Sequence, residues 1–171
     1  MKPLMTILAL VLLQSRGAGA EEIQILAPDR SQLTLRAGRT ASDSSGNITA
    51  SGRVEVKHGN VEIACEGGTV KVYVSRSLFS ALDAQGAIVA TAAHKKLWCQ
   101  HLFYEEPRRL ITASGDPRVQ EGGTTYRAAQ RILLYTETGV MKFEPSAQIL
   151  IDKGLDREKK KRARKSFLGL F

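Results

Sequence analysis

A five-residue phrase that occurs twice constrains this chain more than any other feature. Residues Ile48–Gly52 read Ile-Thr-Ala-Ser-Gly, and the same five residues return at Ile111–Gly115, 63 positions later. At the same offset Val56 matches Val119, and a glycine follows three residues after each valine. Each copy predicts a strand, a glycine turn and a second strand. Because repeated β units bury their faces by stacking, the chain is predicted to build one long stacked or rolled sheet.

Alternation of polar and apolar residues extends this pattern through the first half of the chain. Arg53–Lys57, Val61–Cys65 and Val70–Val74 each alternate, which is typical of strands with one buried face. Turns are predicted between them at His58–Asn60 and Gly67–Gly68, since Gly and Asn tolerate a positive φ. Apolar residues do not recur at helical spacing over any long window.

The second half of the chain has the same rhythm. Strands are predicted at Lys96–Cys99, Leu102–Tyr104, Leu110–Ala113, Arg118–Gln120, Ile132–Tyr135, Val140–Phe143 and Ala147–Ile151. The segment Ser75–Ala84 fits either a short helix or a loop. Strands at short, regular spacing with glycine turns predict an all-β fold, a roll or sandwich of short antiparallel strands built from internal repeats.

Such a sheet has one apolar face, and this face is the candidate functional surface. Its predicted members are Val54, Val56, Ile63, Cys65, Val70, Val72, Leu97, Tyr126, Ile132, Leu134 and Ile149. Two interpretations stay open. These side chains either fill an ordinary core, or they line a roll that stays open and holds an apolar ligand.

The first twenty residues have the form of an export signal. Lys2 precedes the apolar run Leu4–Leu13, and Ala18–Ala20 has the small-x-small pattern of a cleavage site. The run has about half the length of a spanning helix, although a short uncleaved anchor is the alternative. We therefore predict residues 1–20 to be a cleaved signal peptide, 21–32 an N-terminal lead-in and 33–151 the roll. The signal predicts an exported protein.

Residues 152–171 form a basic tail. Eight cations and three anions give this segment a net charge of +5, whereas the whole chain carries +8. Such a run is usually solvated and flexible. The alternative is contact with anionic lipid head groups, which the apolar end Phe167–Phe171 favours. A nucleic-acid partner is disfavoured because the body of the chain is nearly neutral.

The sequence offers few groups for catalysis or metal binding. Its three histidines, His58, His94 and His101, have no metal-ligand spacing, and no nucleophile motif or phosphate-binding loop is present. We predict that the protein is not an enzyme and uses no cofactor or metal. The two cysteines, Cys65 and Cys99, permit a disulfide in an exported protein, or they pack as buried thiols.

The repeated phrase and the residues that follow it resemble the OstA-like family, to which the LptA proteins of lipopolysaccharide transport belong. The resemblance is carried by Ile111–Pro117, Gly122–Gly123, Ala129–Arg131 and Tyr135–Gly139. A weaker copy spans Ile48–Tyr73, and the resemblance as a whole covers roughly Leu33 to Ile151.

The resemblance implies an OstA-like β-jelly roll in the periplasm whose apolar interior shields the lipid A acyl chains of lipopolysaccharide during transport from the inner to the outer membrane. It also implies end-to-end stacking with further copies, or with inner- and outer-membrane components that carry similar rolls. On this interpretation the lipid-binding face is formed by Val54, Val56, Ile63, Val70, Val72, Tyr126, Ile132 and Leu134. The alternative is a structural adaptor that links envelope membrane proteins without carrying lipid.

Overall fold

A computed structural model describes residues 14–15, 20–145 and 147–150. Every regular element in these ranges is a β-strand, which confirms the all-β prediction. The strands are β1 Gln14–Ser15, β2 Glu21–Leu26, β3 Gln32–Ala37, β4 Arg39–Ser42, β5 Ile48–His58, β6 Val61–Ser75, β7 Leu78–Ala92, β8 Lys95–Glu105, β9 Leu110–Ser114, β10 Arg118–Glu121, β11 Thr124–Ala128, β12 Arg131–Tyr135, β13 Met141–Glu144 and β14 Ala147–Leu150. The basic tail and most of the predicted signal peptide lie outside the described residues. In the described part of the chain, no helix is long and apolar enough to cross a membrane.

All fourteen strands belong to one antiparallel sheet. Most neighbours are joined by hairpins, so that β5, β6, β7 and β8 follow one another in space as they do in sequence. β6 and β7 each run for 15 residues, which is long for strands of globular proteins. The predicted lead-in contributes β2 to this sheet, where Glu21–Leu26 pairs with Gln32–Ala37.

A crease crosses the long strands near their middles. The pairing register shifts between Gly52 and Val54 in β5, between Glu66 and Thr69 in β6, and between Gln85 and Ile88 in β7. β8 changes partner at the same level, since its first part pairs with β10 and its second part with β9. We define the crease by Gly38, Gly52, Gly67–Gly68, Gly86, Gln100 and Gly115.

The crease divides the sheet into two arms. The first arm contains β1, β2, β3, β10, β11, β14 and residues 54–58, 61–66, 87–92 and 95–99 of the long strands. The second arm contains β4, β9, β12, β13 and residues 48–52, 69–75, 78–85 and 101–105. The inward side chains of both arms form one core. The arms therefore close face to face, as a sheet folded double, and the predicted jelly roll is confirmed.

The internal repeat corresponds to equivalent places in the two halves of the roll. Each Ile-Thr-Ala-Ser-Gly phrase runs through the second arm and reaches the crease at its glycine, Gly52 or Gly115. Beyond the crease, Val56 and Val119 are both buried in the first arm. In the first copy the predicted glycine turn is wrong, because β5 continues through Gly52 as a bulge with φ +90°. In the second copy the strand ends.

Two further local predictions are wrong. Gly67–Gly68 does not turn the chain, because β6 runs through both residues and bends at the crease. Ser75–Ala84 is neither a helix nor a loop, since Arg76 and Ser77 form a tight turn and β7 begins at Leu78. Only the two residues of this turn separate β6 from β7. The pairing of these long strands depends on residues in the rest of the sheet, so the sequence of the segment itself predicts the hairpin only weakly.

Candidate functional site

The predicted lipid-binding residues lie on the inner face of the roll. Seven of them, Val54, Val56, Ile63, Val70, Val72, Ile132 and Leu134, are at most 3% exposed. They come from both arms and pack against one another and against the rest of the core. In this structure the inner face is a filled interior and not an open trough. Their contact with lipid stays a prediction, and it requires the arms to separate.

The eighth residue, Tyr126, packs against the edge of the core. It is half-buried, as are Met141 and Phe143 of β13, and its ring centroid lies 5.8 Å from that of Phe143. Tyr126 lies on β11 of the first arm and the other two on β13 of the second arm, so their contact joins the arms at this side of the interior.

The two arms meet along the side opposite the crease through a polar cluster that the sequence did not predict. We name this cluster the clasp, and it consists of Asp29, Ser31, His58, Tyr104, Glu106 and Arg109. Asp29, Ser31 and His58 belong to the first arm and its β2–β3 turn, and the others belong to the second arm and its β8–β9 turn. No buried side-chain polar atom among the described residues lacks a hydrogen-bond partner, so the clasp satisfies its own buried groups.

Arg109 is the centre of the clasp. Its guanidinium pairs with Asp29 across the gap between the arms, and its Nη2 lies 3.4 Å from a carboxylate oxygen of Glu106. The Glu106 side chain is only 4% exposed. Burial raises the pKa of Glu106, and the charge of Arg109 opposes that rise. Arg109 therefore joins the arms and also compensates a buried carboxylate.

His58 forms the second connection between the arms. It occupies the inward position that follows Val54 and Val56 along β5, and it is 1% exposed. Its Nε2 lies 2.7 Å from the Ser31 hydroxyl and its Nδ1 lies 3.1 Å from the Tyr104 hydroxyl. A polar residue at an inward strand position is the one signal by which the sequence could have indicated this site.

Hydrogen bonding and burial lower the pKa values of two groups in the clasp, Asp29 and His58. Hydrogen bonds from the Ser31 hydroxyl and backbone N–H lower the pKa of Asp29 to about 2, and Arg109 adds to the effect. Burial lowers the pKa of His58, and the nearby Arg109 lowers it further. Asp29 is therefore charged and His58 neutral at neutral pH.

The lowered pKa of His58 predicts a loss of stability in acid. As pH falls below the ordinary histidine value of 6.5, the unfolded chain takes up a proton before the folded chain does, so the free energy of unfolding decreases. The slope from one such group is at most about 1.4 kcal/mol per pH unit. We expect the His58→Gln variant to lose less stability between pH 7.5 and pH 5.5 than the unmodified protein. Parallel pH curves from urea unfolding of the two proteins would contradict this expectation.

Two chemical roles for the clasp can be tested against its geometry. The ligand atoms of Asp29, His58 and Glu106 lie within 4.8 Å of one another, which could hold a metal ion. However, the Arg109 guanidinium already contacts both carboxylates, and both ring nitrogens of His58 face hydroxyl groups. The candidate ligand atoms of the cluster therefore already have protein partners, as expected for a network of ion pairs and hydrogen bonds.

The pair of Ser31 and His58 resembles part of a hydrolase triad. In a triad the carboxylate orients the histidine. Here Asp29 accepts the hydrogen bond from Ser31 itself, at 2.5 Å, and Tyr104 occupies the other side of the imidazole. Asp29 therefore does not orient the imidazole, and the arrangement works as a contact between the arms.

The cysteines lie inside the roll, on strands that are not neighbours. Both are free thiols, and Ile88 of β7 lies between Cys65 and Cys99 in the pairing register. Two strand spacings amount to about 9 to 10 Å, beyond the usual Cα separation of a disulfide. Burial raises the pKa of Cys65 and raises that of Cys99 to about 12, so both thiols are protonated.

Comparisons with known proteins place the fold. No family model and no curated protein matches the sequence. Among solved structures, the crystal structure of LptH from Pseudomonas aeruginosa, the LptA homologous periplasmic component of the lipopolysaccharide transport device, is similar with a TM-score of 0.60. The two sequences are 14% identical, and the match covers 70% of this chain and 94% of LptH. The chain therefore has the LptA-like β-jelly-roll fold.

Proposed function

We propose that the protein is a periplasmic carrier of lipopolysaccharide that shields lipid A acyl chains inside the roll during transport to the outer membrane. One observation carries this proposal. Two arms with the fold of a lipopolysaccharide-transport component enclose one continuous apolar interior, and mainly polar contacts join their tips at the clasp, where the His58 ring also packs against Phe79 of the second arm. The export signal predicted at residues 1–20 supports delivery to the periplasm.

Partition of the acyl chains supplies the binding energy in this proposal. Each CH₂ group removed from water contributes about 0.8 kcal/mol, and acyl chains between the arms would replace the contacts that the arms make with each other. Opening the clasp costs polar contacts that water can replace, because Asp29 and Arg109 lie near the surface. Separation at the clasp with bending at the crease is therefore the route by which the interior would admit a lipid.

Photo-crosslinking tests this function directly. We expect a photoreactive amino acid at Val54, Val56, Ile132 or Leu134 to capture lipopolysaccharide in cells, because these side chains point into the interior. Glu55 and Lys57 are matched controls, since they alternate with the two valines on the same strand but are not buried. Lipid captured only at the control positions would contradict an interior site.

A structural adaptor remains the second candidate, and the filled interior favours it. In this interpretation the roll stays closed and acts through its edges, which offer unpaired backbone groups to another strand. The second arm ends on β4 at one side and β13 at the other, and the first arm ends on β14. At the other side of the first arm, β1 pairs with β2. Cleavage after Ala20 would remove β1, so that β2 would become the edge strand of this arm.

Both candidates predict head-to-tail association through these edges. Cysteines at Ala41 of β4 and Lys142 of β13, both exposed, would lie near each other across such a contact. We expect the Ala41→Cys, Lys142→Cys double variant to form a ladder of disulfide-linked multimers on mild oxidation. An Ala41→Cys, Lys57→Cys variant is the control, since Lys57 lies on an internal strand. Equal ladders from both variants would point to nonspecific collision and not to edge contact.

A further inference from the structure

The change of partner along β8 opens a groove on the outer side of the crease. Up to Trp98 this strand pairs with β10, and from His101 it pairs with β9. Gln100 lies between the two, where its backbone N–H donates to Gly115 O at 3.1 Å. The groove at this fork has a volume of about 490 Å³, within the size range of small-molecule sites.

Most of the groove is apolar. Ala87 and Val89 of β7 and Trp98 of β8 line it from the outer face of the first arm. The lining also includes Ile88 and Cys99, which are the next residues along the same two strands. The Lys96 ammonium lies 5.2 Å from the centre of the Trp98 ring. A half-buried tryptophan beside aliphatic side chains forms a slot that an extended hydrocarbon chain can occupy.

Charged side chains lie at one end of the groove. Asp116 and Arg118 line it there, and Arg127 lies beside it. The Asp116 carboxylate accepts from both guanidinium groups, with each Nη2 at 2.5 Å. Two cations share one anion, so this end carries a net charge of +1. Each guanidinium has five N–H donors in a planar fork, and both side chains are exposed enough to bind a further anion.

We propose that this groove binds one acyl chain of an amphiphile, with the anionic head group of that amphiphile on Arg118. The apolar side chains of the groove would contact the acyl chain, and the excess positive charge at its end would pair with the anionic head group. The site lies on the outer face, apart from the interior between the arms. It does not rest on the proposed transport function.

The single tryptophan of the chain reports on the site. Trp98 fluorescence should change saturably when the full-length protein is titrated with dodecanoate or with dodecyl phosphate, each below its aggregation concentration. Dodecyl maltoside, which has the same chain and a neutral head group, should bind about tenfold more weakly, as expected for the loss of a charged hydrogen bond. A preference for one anionic head group distinguishes a carboxylate from a phosphate ligand.

Matched variants locate the binding. Arg118→Gln should remove the preference for the anionic compounds, and Ala87→Phe should fill the slot and abolish the fluorescence change. Ala41→Phe is the control, because Ala41 is exposed on β4 at the far edge of the other arm. Ala87 is also exposed, so its replacement leaves the core intact, and circular dichroism checks this.

Three results would overturn the proposal. The first is a Trp98 signal that does not saturate, and the second is equal affinity for dodecyl maltoside. The third is a shift of Trp98 emission on deletion of residues 152–171 without any added ligand, which would assign the groove to the chain's own tail. These experiments use simple surfactants and measure only Trp98 emission. A negative result here therefore does not affect the crosslinking at Val54, which tests transport through the interior separately.

Discussion

Replacing Gly68 by alanine is expected to lower the free energy of unfolding by about 3 kcal/mol or more, at the upper end of what an overpacked site costs. A Cβ atom at this position would lie 1.8 Å from the carbonyl oxygen of Gln85 and 2.9 Å from Cys65 Sγ. The first of these contacts is with the backbone of β7, which cannot move aside without disturbing the pairing of β6 with β7. Gly68 is therefore required by the close approach of the two strands at the crease.

Gly123 supplies the matched control for this substitution. It lies in the β10–β11 turn, a Cβ atom there would meet nothing within 4 Å, and neither it nor Gly68 has a positive φ. The Gly123→Ala variant should stay within about 0.5 kcal/mol of the unmodified protein or gain slightly through the unfolded chain. Urea unfolding of both variants makes the comparison. Similar small changes at the two sites would show that the strands are not held this close together.

Replacing Arg109 by glutamine is expected to lower the free energy of unfolding by about 2 to 3 kcal/mol, because it leaves a buried carboxylate without its cation. Glu106 would keep its buried position but lose its charged partner, and Asp29 would lose its contact with the other arm. Faster hydrogen exchange is expected at the clasp and in the two turns that carry it, while the strands near the crease stay protected.

Arg108 tests whether the effect belongs to the clasp. Its side chain is 71% exposed and pairs with Glu105 at 3.5 Å, so Arg108→Gln should change stability by less than about 0.5 kcal/mol. Adding Glu106→Gln to the Arg109→Gln variant should restore part of the lost stability, since the uncompensated charge is then gone. Equal losses in the Arg108 and Arg109 variants, or no restoration in the double variant, would contradict the assigned role of Arg109.

The strands and their inward faces could be predicted from the sequence because they depend on a local property. A strand exposes successive side chains on opposite faces, so the alternation around Val54 and Val56 identifies their buried side without knowledge of any partner. The repeated phrase likewise predicted equivalent strands in the two halves. The length of β6 and β7 escaped this reasoning, because a glycine that ends a strand and a glycine that bends one look alike in sequence.

The clasp shows where a local signal is insufficient. Asp29 and Arg109 are 80 residues apart, and His58 and Tyr104 are 46 residues apart. They meet because the sheet folds double and brings the tips of its two arms together. The sequence predicts a turn at His58, whereas this residue occupies an inward position of β5, and its partners there depend on how the two arms close.

The strand periodicity, the inward residues around Val54 and Val56 and the repeat could therefore be inferred from the sequence, because each follows from spacing along the chain. The crease, the clasp and the outer groove could be seen only once the strands were paired in three dimensions. Each of these depends on which strands pair and where the register shifts, and the pairing of β8 first with β10 and then with β9 is the clearest case. Strand pairing and register depend on contacts between residues far apart in the chain. Many such contacts together supply the free energy that closes the roll, so no single segment of sequence specifies them.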